Sequence, residues 1–346
     1  MTTTSMDERT REVLRSLVDL HVATGEPVGS ESLSRALERR LAPATIRNIM
    51  AELERLGYLS QPHTSAGRVP TDEGYRFYVD GLRALELSPR EQQAIARSLR
   101  RDAGSPQQIL ETASHVLSLL SRNVGFVVAP DIGRSSFMHV DFVRLPQSRI
   151  LMVMVSRTGL VTNKLVDLEE PLSQEELQAC ANYLNTHFAG MSLRAIRGRL
   201  LELMQQDKAL YDTLLKRVVA LGEQAFAEEG AGSLYLEGAS NILDQPEFED
   251  VARMKALFQT FEQKSRLVKI LNACISGDGI RILIGHENPD PELHGTSLVT
   301  AGYALEGEAE LGLGVLGSTR MEYARMIALV DHVGRAVRSA LRELGA

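Results

Sequence analysis

Hydrophobic positions follow helical spacing from the start of the chain. Val13, Leu14, Leu17, Leu20 and His21 fall on one face of a 3.6-residue spiral, which predicts an amphipathic helix between Asp7 and Ala23. Asp7 and Glu8 lie where the helix dipole favours negative charge, and Gly25 supplies the stop. Ser30 is the expected N-cap of a two-turn helix that buries Leu33 and Leu37. A third helix starts at Pro43 and ends at Gly57, with Ile46, Ile49, Met50, Leu53 and Leu56 as its core stripe. Tyr58–Pro62 and Val69–Pro70 then flank a polar tip, His63–Arg68, in the pattern of a β-hairpin. Three helices followed by a hairpin is the winged-helix order.

Past the hairpin, Thr71 caps a helix holding Tyr75, Phe77, Tyr78 and Leu82. Ser88–Glu91 forms a capping box, and Ser105-Pro106 starts another helix. From Asn123 the pattern turns to strands, at Gly125–Ala129, Phe137–Leu145, Ile150–Ser156 and Val161–Asp167. A second capping box, Ser173–Glu176, opens a mostly helical stretch to about Ser276. Strands resume at Ile280–Glu287, Ser297–Leu305 and Glu310–Leu316. A closing helix, Met321–Leu344, is expected to bury Met321, Ala324, Ile327, Val330, Val333, Val337 and Leu341. Strands, helices and strands again suggest an α+β domain interrupted by a helical insert.

Composition narrows the function. The 346 residues exceed what one core usually serves, and 44% hydrophobic with 24% charged residues is ordinary for a globular protein. A net charge of -7 argues against chain-wide affinity for polyanions, so any nucleic-acid surface must be local. Two cysteines, Cys180 and Cys274, form no metal-type spacing or disulfide framework, which fits a reducing compartment. The longest apolar runs, such as Ile150–Val155, are too short to span a bilayer, and MTTTSMDERTRE lacks a signal-peptide core. A cytoplasmic protein without a membrane partner is expected.

With the Ile46 stripe inward, the third helix presents Ala44, Arg47, Asn48, Ala51 and Arg55 outward. The second helix of a helix-turn-helix enters the major groove by its N-terminal turns. Arginine can pair bidentately with guanine and asparagine with adenine, while alanine reaches a thymine methyl; Arg55, further back, suits phosphate. The plain alternative is a solvated helix face. From Arg35 to Arg76 seven arginines stand against five acids, although residues 1–80 hold ten arginines, no lysine and twelve acids. At the tip, His63, Thr64, Ser65 and Arg68 could follow a phosphate or reach the minor groove, or form an ordinary turn.

Pro43-Ala-Thr-Ile-Arg-Asn-Ile-Met-Ala-Glu-Leu-Glu-Arg-Leu-Gly-Tyr-Leu59 and Gln61-Pro-His-Thr-Ser-Ala-Gly-Arg-Val-Pro-Thr-Asp-Glu-Gly-Tyr-Arg-Phe-Tyr-Val79 resemble the HrcA family of heat-inducible transcription repressors. Gly125–Pro130 and the Gly-rich Leu311–Ser318 fit the same family. The resemblance implies an α+β multidomain protein with an N-terminal winged helix-turn-helix, a GAF-like α+β domain and an inserted, mostly helical dimerisation domain. The corresponding boundaries are 1–81 for the winged helix, 82–105 for a helical connector, 106–170 with 277–346 for the GAF-like domain, and 171–276 for the insert. It further implies a homodimer on an inverted-repeat operator of chaperone operons, release on heat shock, assistance by the GroEL chaperonin, and no cofactor. The DNA-binding set is then Ala44, Thr45, Arg47, Asn48, Ala51, Arg55, His63, Ser65 and Arg68. Ala42 departs from the serine expected before Pro43, and alanine caps poorly, at a cost of about 1 kcal/mol.

Three rivals compete with a repressor of this kind. The first is a winged-helix repressor controlled by a small molecule in the GAF-like domain, with Phe126, Phe137, Phe142 and Tyr303 lining a pocket. The second is an enzyme, for which His286, Glu287 and His294 form the one close group able to bind metal or move protons. Their spacing matches no metalloprotease helix, and Asn288–Pro291 reads as a loop. The third is a scaffold, using the C-terminal helix and helical insert as interaction surfaces.

Overall fold

The computed structural model describes residues 6–37, 41–62, 67–82, 85–101, 104–129, 136–146, 148–157, 159, 161–168, 171–192, 195–196, 199, 233–243, 245–248, 251–275, 279–305 and 310–344. Helices α1 (Glu8–Thr24), α2 (Ser30–Ala36) and α3 (Pro43–Arg55) precede a hairpin of β1 (Leu59–Ser60) and β2 (Val69–Pro70), followed by α4 (Asp72–Asp80). Their boundaries follow local chemistry. Asp7 accepts from the Thr10 amide, Gly25 closes α1 at φ 76°, and Thr71 accepts from the Gly74 amide. One expectation shifts: Gly29, in extended backbone, is the N-cap of α2, and Ser30 is its first helical residue without a capping bond. The first turn is anchored by the Leu33 amide donating to the Gly29 carbonyl at 3.1 Å.

Helices α5 (Pro89–Arg101) and α6 (Pro106–Ser121) lead into β3 (Val124–Val128). The Ser88–Glu91 box forms as expected, with Ser88 Oγ and Glu91 satisfying each other's backbone amides. Strands β4 (Phe137–Arg144), β5 (Arg149–Ser156) and β6 (Val161–Asp167) precede α7 (Gln174–Phe188), whose Ser173–Glu176 box is also present. Next come β7 (Leu234–Glu237), α8 (Val251–Glu262), α9 (Lys264–Cys274), β8 (Gly279–Ile284), β9 (Thr296–Ala304), β10 (Glu310–Ser318) and α10 (Tyr323–Glu343).

The strands divide between two bodies. An antiparallel sheet ordered β7-β3-β10-β9-β8 has α6 and α10 on one face and α8 and α9 on the other. Coverage on both faces leaves β3 buried throughout and β9 and β10 buried except at one end. The second sheet, β4-β5-β6, stacks Phe142, Ile150, Met152 and Met154 against Leu177, Cys180, Ala181 and Leu184 of α7.

This division departs from the expected segments. Residues 137–167 hydrogen-bond among themselves and share their core with α7, whereas the expectation put them with β3 in 106–170. Likewise β7, α8 and α9, expected within the 171–276 insert, pack on the five-stranded sheet. The cause is non-local pairing: Val124–Val128 takes β10 and β7 as neighbours, and both lie more than a hundred residues away in the chain. The aromatic set expected to line one pocket is dispersed among three cores, with Tyr303 in the first, Phe137 and Phe142 in the second and Phe126 in the third. No single cavity can be built from them. The two cysteines are buried in separate cores, and burial pushes the Cys274 thiol up to about 11.

Candidate nucleic-acid interface

The stripe of α3 docks as its periodicity requires. Ile46 and Leu53 are fully buried, Met50 nearly so, and all three join Val13, Leu14 and Leu17 of α1 in one core. Ser34 of α2 donates its hydroxyl to the Leu41 carbonyl at 2.7 Å, tying the second helix to the turn before the third. That turn ends at Ala42, the N-cap of α3, which makes no side-chain capping bond, while Pro43 occupies the first helical position.

The opposite face carries Ala44, Arg47, Asn48, Ala51 and Arg55, all exposed, with Thr45 half-buried at its edge. Among the described residues, Arg47, Asn48 and Arg55 have no hydrogen-bond or ion-pair partner. A protruding helix face with unengaged guanidinium and amide groups, kept slim by two alanines, has the shape and donors for a major groove.

The wing is anchored at its base. Leu59 pairs with Pro70 and Ser60 with Val69, and Val28 exchanges two backbone hydrogen bonds of 2.9 Å with Arg68. At Gly67 a Cβ would sit 2.4 Å from the Val28 carbonyl, so this close approach requires glycine. Arg68 Nε donates to Glu54 Oε2 at 2.8 Å, with both side chains partly covered. Thus the expected DNA contact Arg68 is engaged within the fold, joining the wing base to the back of α3. His63 and Ser65, the other two expected wing contacts, lie outside the described residues.

Behind the reading face, α4 docks on the C-terminal body through charged groups. Arg76 Nε donates to Glu287 Oε1 at 2.7 Å and its Nη2 to the Ile282 carbonyl at 2.8 Å; the Glu287 bond holds the guanidinium above its ordinary pKa. Asp72 accepts from the His286 amide at 3.0 Å and meets His286 Nδ1 at 2.7 Å. Tyr75 lies beside Tyr323 with ring centroids 6.0 Å apart. Arg320 donates to the Val22 carbonyl at 3.1 Å and pairs with Glu247. His286 and Glu287, weighed above as catalytic candidates, therefore fasten the reading unit to the body. Their sequence neighbourhood carried no sign of this, because Arg76 and Glu287 are 211 residues apart.

A winged helix with an open recognition face, seated on an α+β body, defines a DNA-binding regulator of the transcription-factor class. Residues 5–80 match the model described as the winged helix-turn-helix transcription repressor, HrcA DNA-binding, and residues 107–327 match the HrcA protein C terminal domain. The chain is 42% identical over 336 residues to the heat-inducible transcription repressor HrcA of Geobacter sulfurreducens, covering 96% of this chain and 98% of that protein. It is 38% identical over 344 residues to the protein of the same name from Syntrophobacter fumaroxidans, with 98% and 99% covered. A solved structure titled as a hypothetical protein at 2.2 Å resolution matches in fold with TM-score 0.60 at 22% identity, over 99% of both chains. The chain belongs to the HrcA family of heat-inducible transcription repressors. No described helix is long and apolar enough to cross a membrane.

Proposed function

We propose that this protein represses chaperone operons by binding an inverted-repeat operator as a homodimer, that heat shock releases it, and that the GroEL chaperonin assists its activity. The carrying observation is the α3 face, where Arg47, Asn48 and Arg55 are exposed and unengaged among the described residues while Ile46, Met50 and Leu53 of the opposite stripe are buried and Ile49 and Leu56 half-buried. In this reading Arg47 and Asn48 address base edges, Ala44, Thr45 and Ala51 line the approach, and Arg55 meets phosphate. His63 and Ser65, outside the described residues, keep the DNA-contact role expected of them from the sequence. Arg68 supports the wing through Glu54 rather than contacting DNA directly.

An apolar sheet face supports the homodimer. On the side of β4-β5-β6 away from α7, the register aligns Val143, Leu151 and Leu165 in one row and His139, Val155 and Val161 in another, with Asp141, Val153 and Asn163 between them. Val143, Val161 and Leu165 are 43%, 61% and 60% exposed, and apolar residues in such number on one open face favour a partner surface. Two copies joined there would deliver two reading heads to an inverted repeat. Dependence on dimerisation and folding also gives heat a route to release, since a marginally stable fold loses its active population over a few degrees.

Operator binding tests the reading. Fluorescence anisotropy with an inverted-repeat duplex and a scrambled one, at several salt concentrations and temperatures, is expected to show tight dimer-stoichiometric binding to the repeat and its loss on heating. Chaperonin added before heating is expected to preserve binding. Equal affinity for both duplexes, with or without chaperonin, would refute sequence-specific repression.

A further inference from the structure

At the junction between the winged helix and the C-terminal body lies a cavity of about 690 Å³. It is bounded by Val22 at the end of α1, by the α6–β3 turn, and by the start of α10. Its volume falls in the range of sites for small molecules.

The wall is built from polar side chains that hold one another. Asn123 Nδ2 donates to the Ser121 carbonyl at 2.8 Å, Gln245 Nε2 to Asn123 Oδ1 at 3.1 Å, and the Ser318 amide to Gln245 Oε1 at 3.1 Å. Asn241 Nδ2 donates to the Asn123 carbonyl at 3.0 Å. Such a cross-linked wall keeps its shape without an occupant. Four charged side chains line the space: Arg122, Arg320, Glu322 and Arg325. Two are neutralised, Arg320 by Glu247 and Arg325 by Glu91 at 2.8 Å.

The remaining two, Arg122 and Glu322, are exposed and have no ion-pair or hydrogen-bond partner for their side chains among the described residues. Arg122 is held at the end of α6 in left-handed backbone, φ 55°. It is the C-cap of the helix, and its amide donates to the Ser118 carbonyl at 2.9 Å. Glu322 occupies the N-cap position of α10 yet makes no capping bond. One cation and one anion, both solvent-exposed, thus line a single polar cavity, which Met321 and Met326 also line.

We infer that this cavity binds a zwitterionic small molecule, an amino acid or short peptide, with its carboxylate on Arg122 and its ammonium on Glu322. Arginine matches a carboxylate bidentately, and a ligand carrying both charges leaves the site neutral. Met321 and Met326, both buried, back the lining and can adjust to a side chain placed against it. The occupant would touch both Val22 of the reading unit and the C-terminal body.

Isothermal titration calorimetry on the full chain tests this without operator DNA, so its outcome is independent of the repressor reading. The probes are the twenty amino acids, glycylglycine and triglycine, with the N-acetyl and C-amide forms of any binder. At least one probe is expected to bind saturably at one per chain, and blocking either terminus should weaken it about tenfold or more. Arg122→Asn, which tolerates left-handed backbone, and Glu322→Gln should each cause a similar loss, with thermal melts confirming that both variants fold. Binding by an amino acid alone or by a peptide alone identifies which source the site takes. No binding by any probe, equal binding of blocked forms, or binding unchanged in both variants would overturn the proposal.

Discussion

Arg76 of α4 and Glu287, in the turn after β8, form an ion pair that joins the winged helix to the C-terminal body, and the same guanidinium also reaches the Ile282 carbonyl. The two side chains are 25% and 34% exposed, so solvent screens part of their attraction. A double-mutant cycle with Arg76→Ala and Glu287→Ala is expected to return a coupling of about 1 kcal/mol in urea unfolding. Calorimetric melts of either single variant should separate into two transitions, the winged helix unfolding first. A single transition with zero coupling would mean that the other junction contacts, Tyr75 with Tyr323, Asp72 with His286 and Arg320 with Val22, hold the bodies together without this pair.

Arg68 and Glu54 yield a prediction that separates support from DNA contact. If their bond at 2.8 Å positions the wing, Glu54→Gln and Arg68→Ala should weaken operator binding by similar factors, and the double variant should add little. A direct phosphate contact by Arg68 would instead make Arg68→Ala the more damaging change and would lower the salt slope by about one.

The α3 face should show two kinds of loss. Arg47→Ala and Asn48→Ala are each expected to cost about 1–3 kcal/mol of operator affinity and to relax preference at particular base pairs. Arg55→Ala should weaken binding to operator and scrambled duplex alike and reduce the salt slope by about one. Because all three side chains are exposed and unpartnered, thermal stability should stay within about 0.5 kcal/mol of the parent. Anisotropy titrations across a set of single-base operator variants distinguish the two patterns.

The winged helix was readable because its signals are local. Asp7, Gly25, Pro43, Gly57 and Thr71 mark element ends within a few residues of the bonds they form, and Ile46, Met50 and Leu53 repeat at helical spacing. The outward position of Arg47 and Asn48 followed from that spacing. The engagement of Arg68 did not, since Glu54 lies fourteen residues earlier on the far side of the wing. The strands themselves were legible, but their grouping into sheets was not, for a related reason: nothing near Val124–Val128 states that its neighbours are Leu234–Glu237 and Glu310–Ser318. The polar residues Asp72, Arg76, His286 and Glu287 read alike as surface or catalytic groups until the fold brought them together.

The outer face of β4-β5-β6 can be tested without DNA. Leu151→Asp and Leu165→Asp place charges at the centre and at one end of the apolar row while leaving the α7 side untouched. Each variant should fold, sediment as a monomer in analytical ultracentrifugation, and bind operator at least about tenfold more weakly through loss of the second reading head. A dimer that persists in both variants would put the subunit contact elsewhere.

His21 makes the α1 contact with the body sensitive to acid. Its ring is held below the usual imidazole pKa chiefly by burial, opposed by the bond to the Glu26 carbonyl at 2.9 Å; nearby Arg320 lowers it further and Glu247 and Glu26 raise it. A depressed folded pKa means that the unfolded chain takes up the proton first as the pH falls. The neutral ring therefore contributes its stability above the unfolded value of 6.5 and loses it progressively as pH drops through the folded pKa. Urea unfolding at about pH 7.5 and about pH 5.5 should show a larger acid loss for the parent than for His21→Gln, which cannot titrate in this window. Arg320 is the group most exposed to the new charge, since it bridges the Val22 carbonyl to Glu247 one residue along from His21. The acid loss of the parent should accordingly shrink in Arg320→Gln as well, and equal losses in all three proteins would place the acid-sensitive group outside this contact.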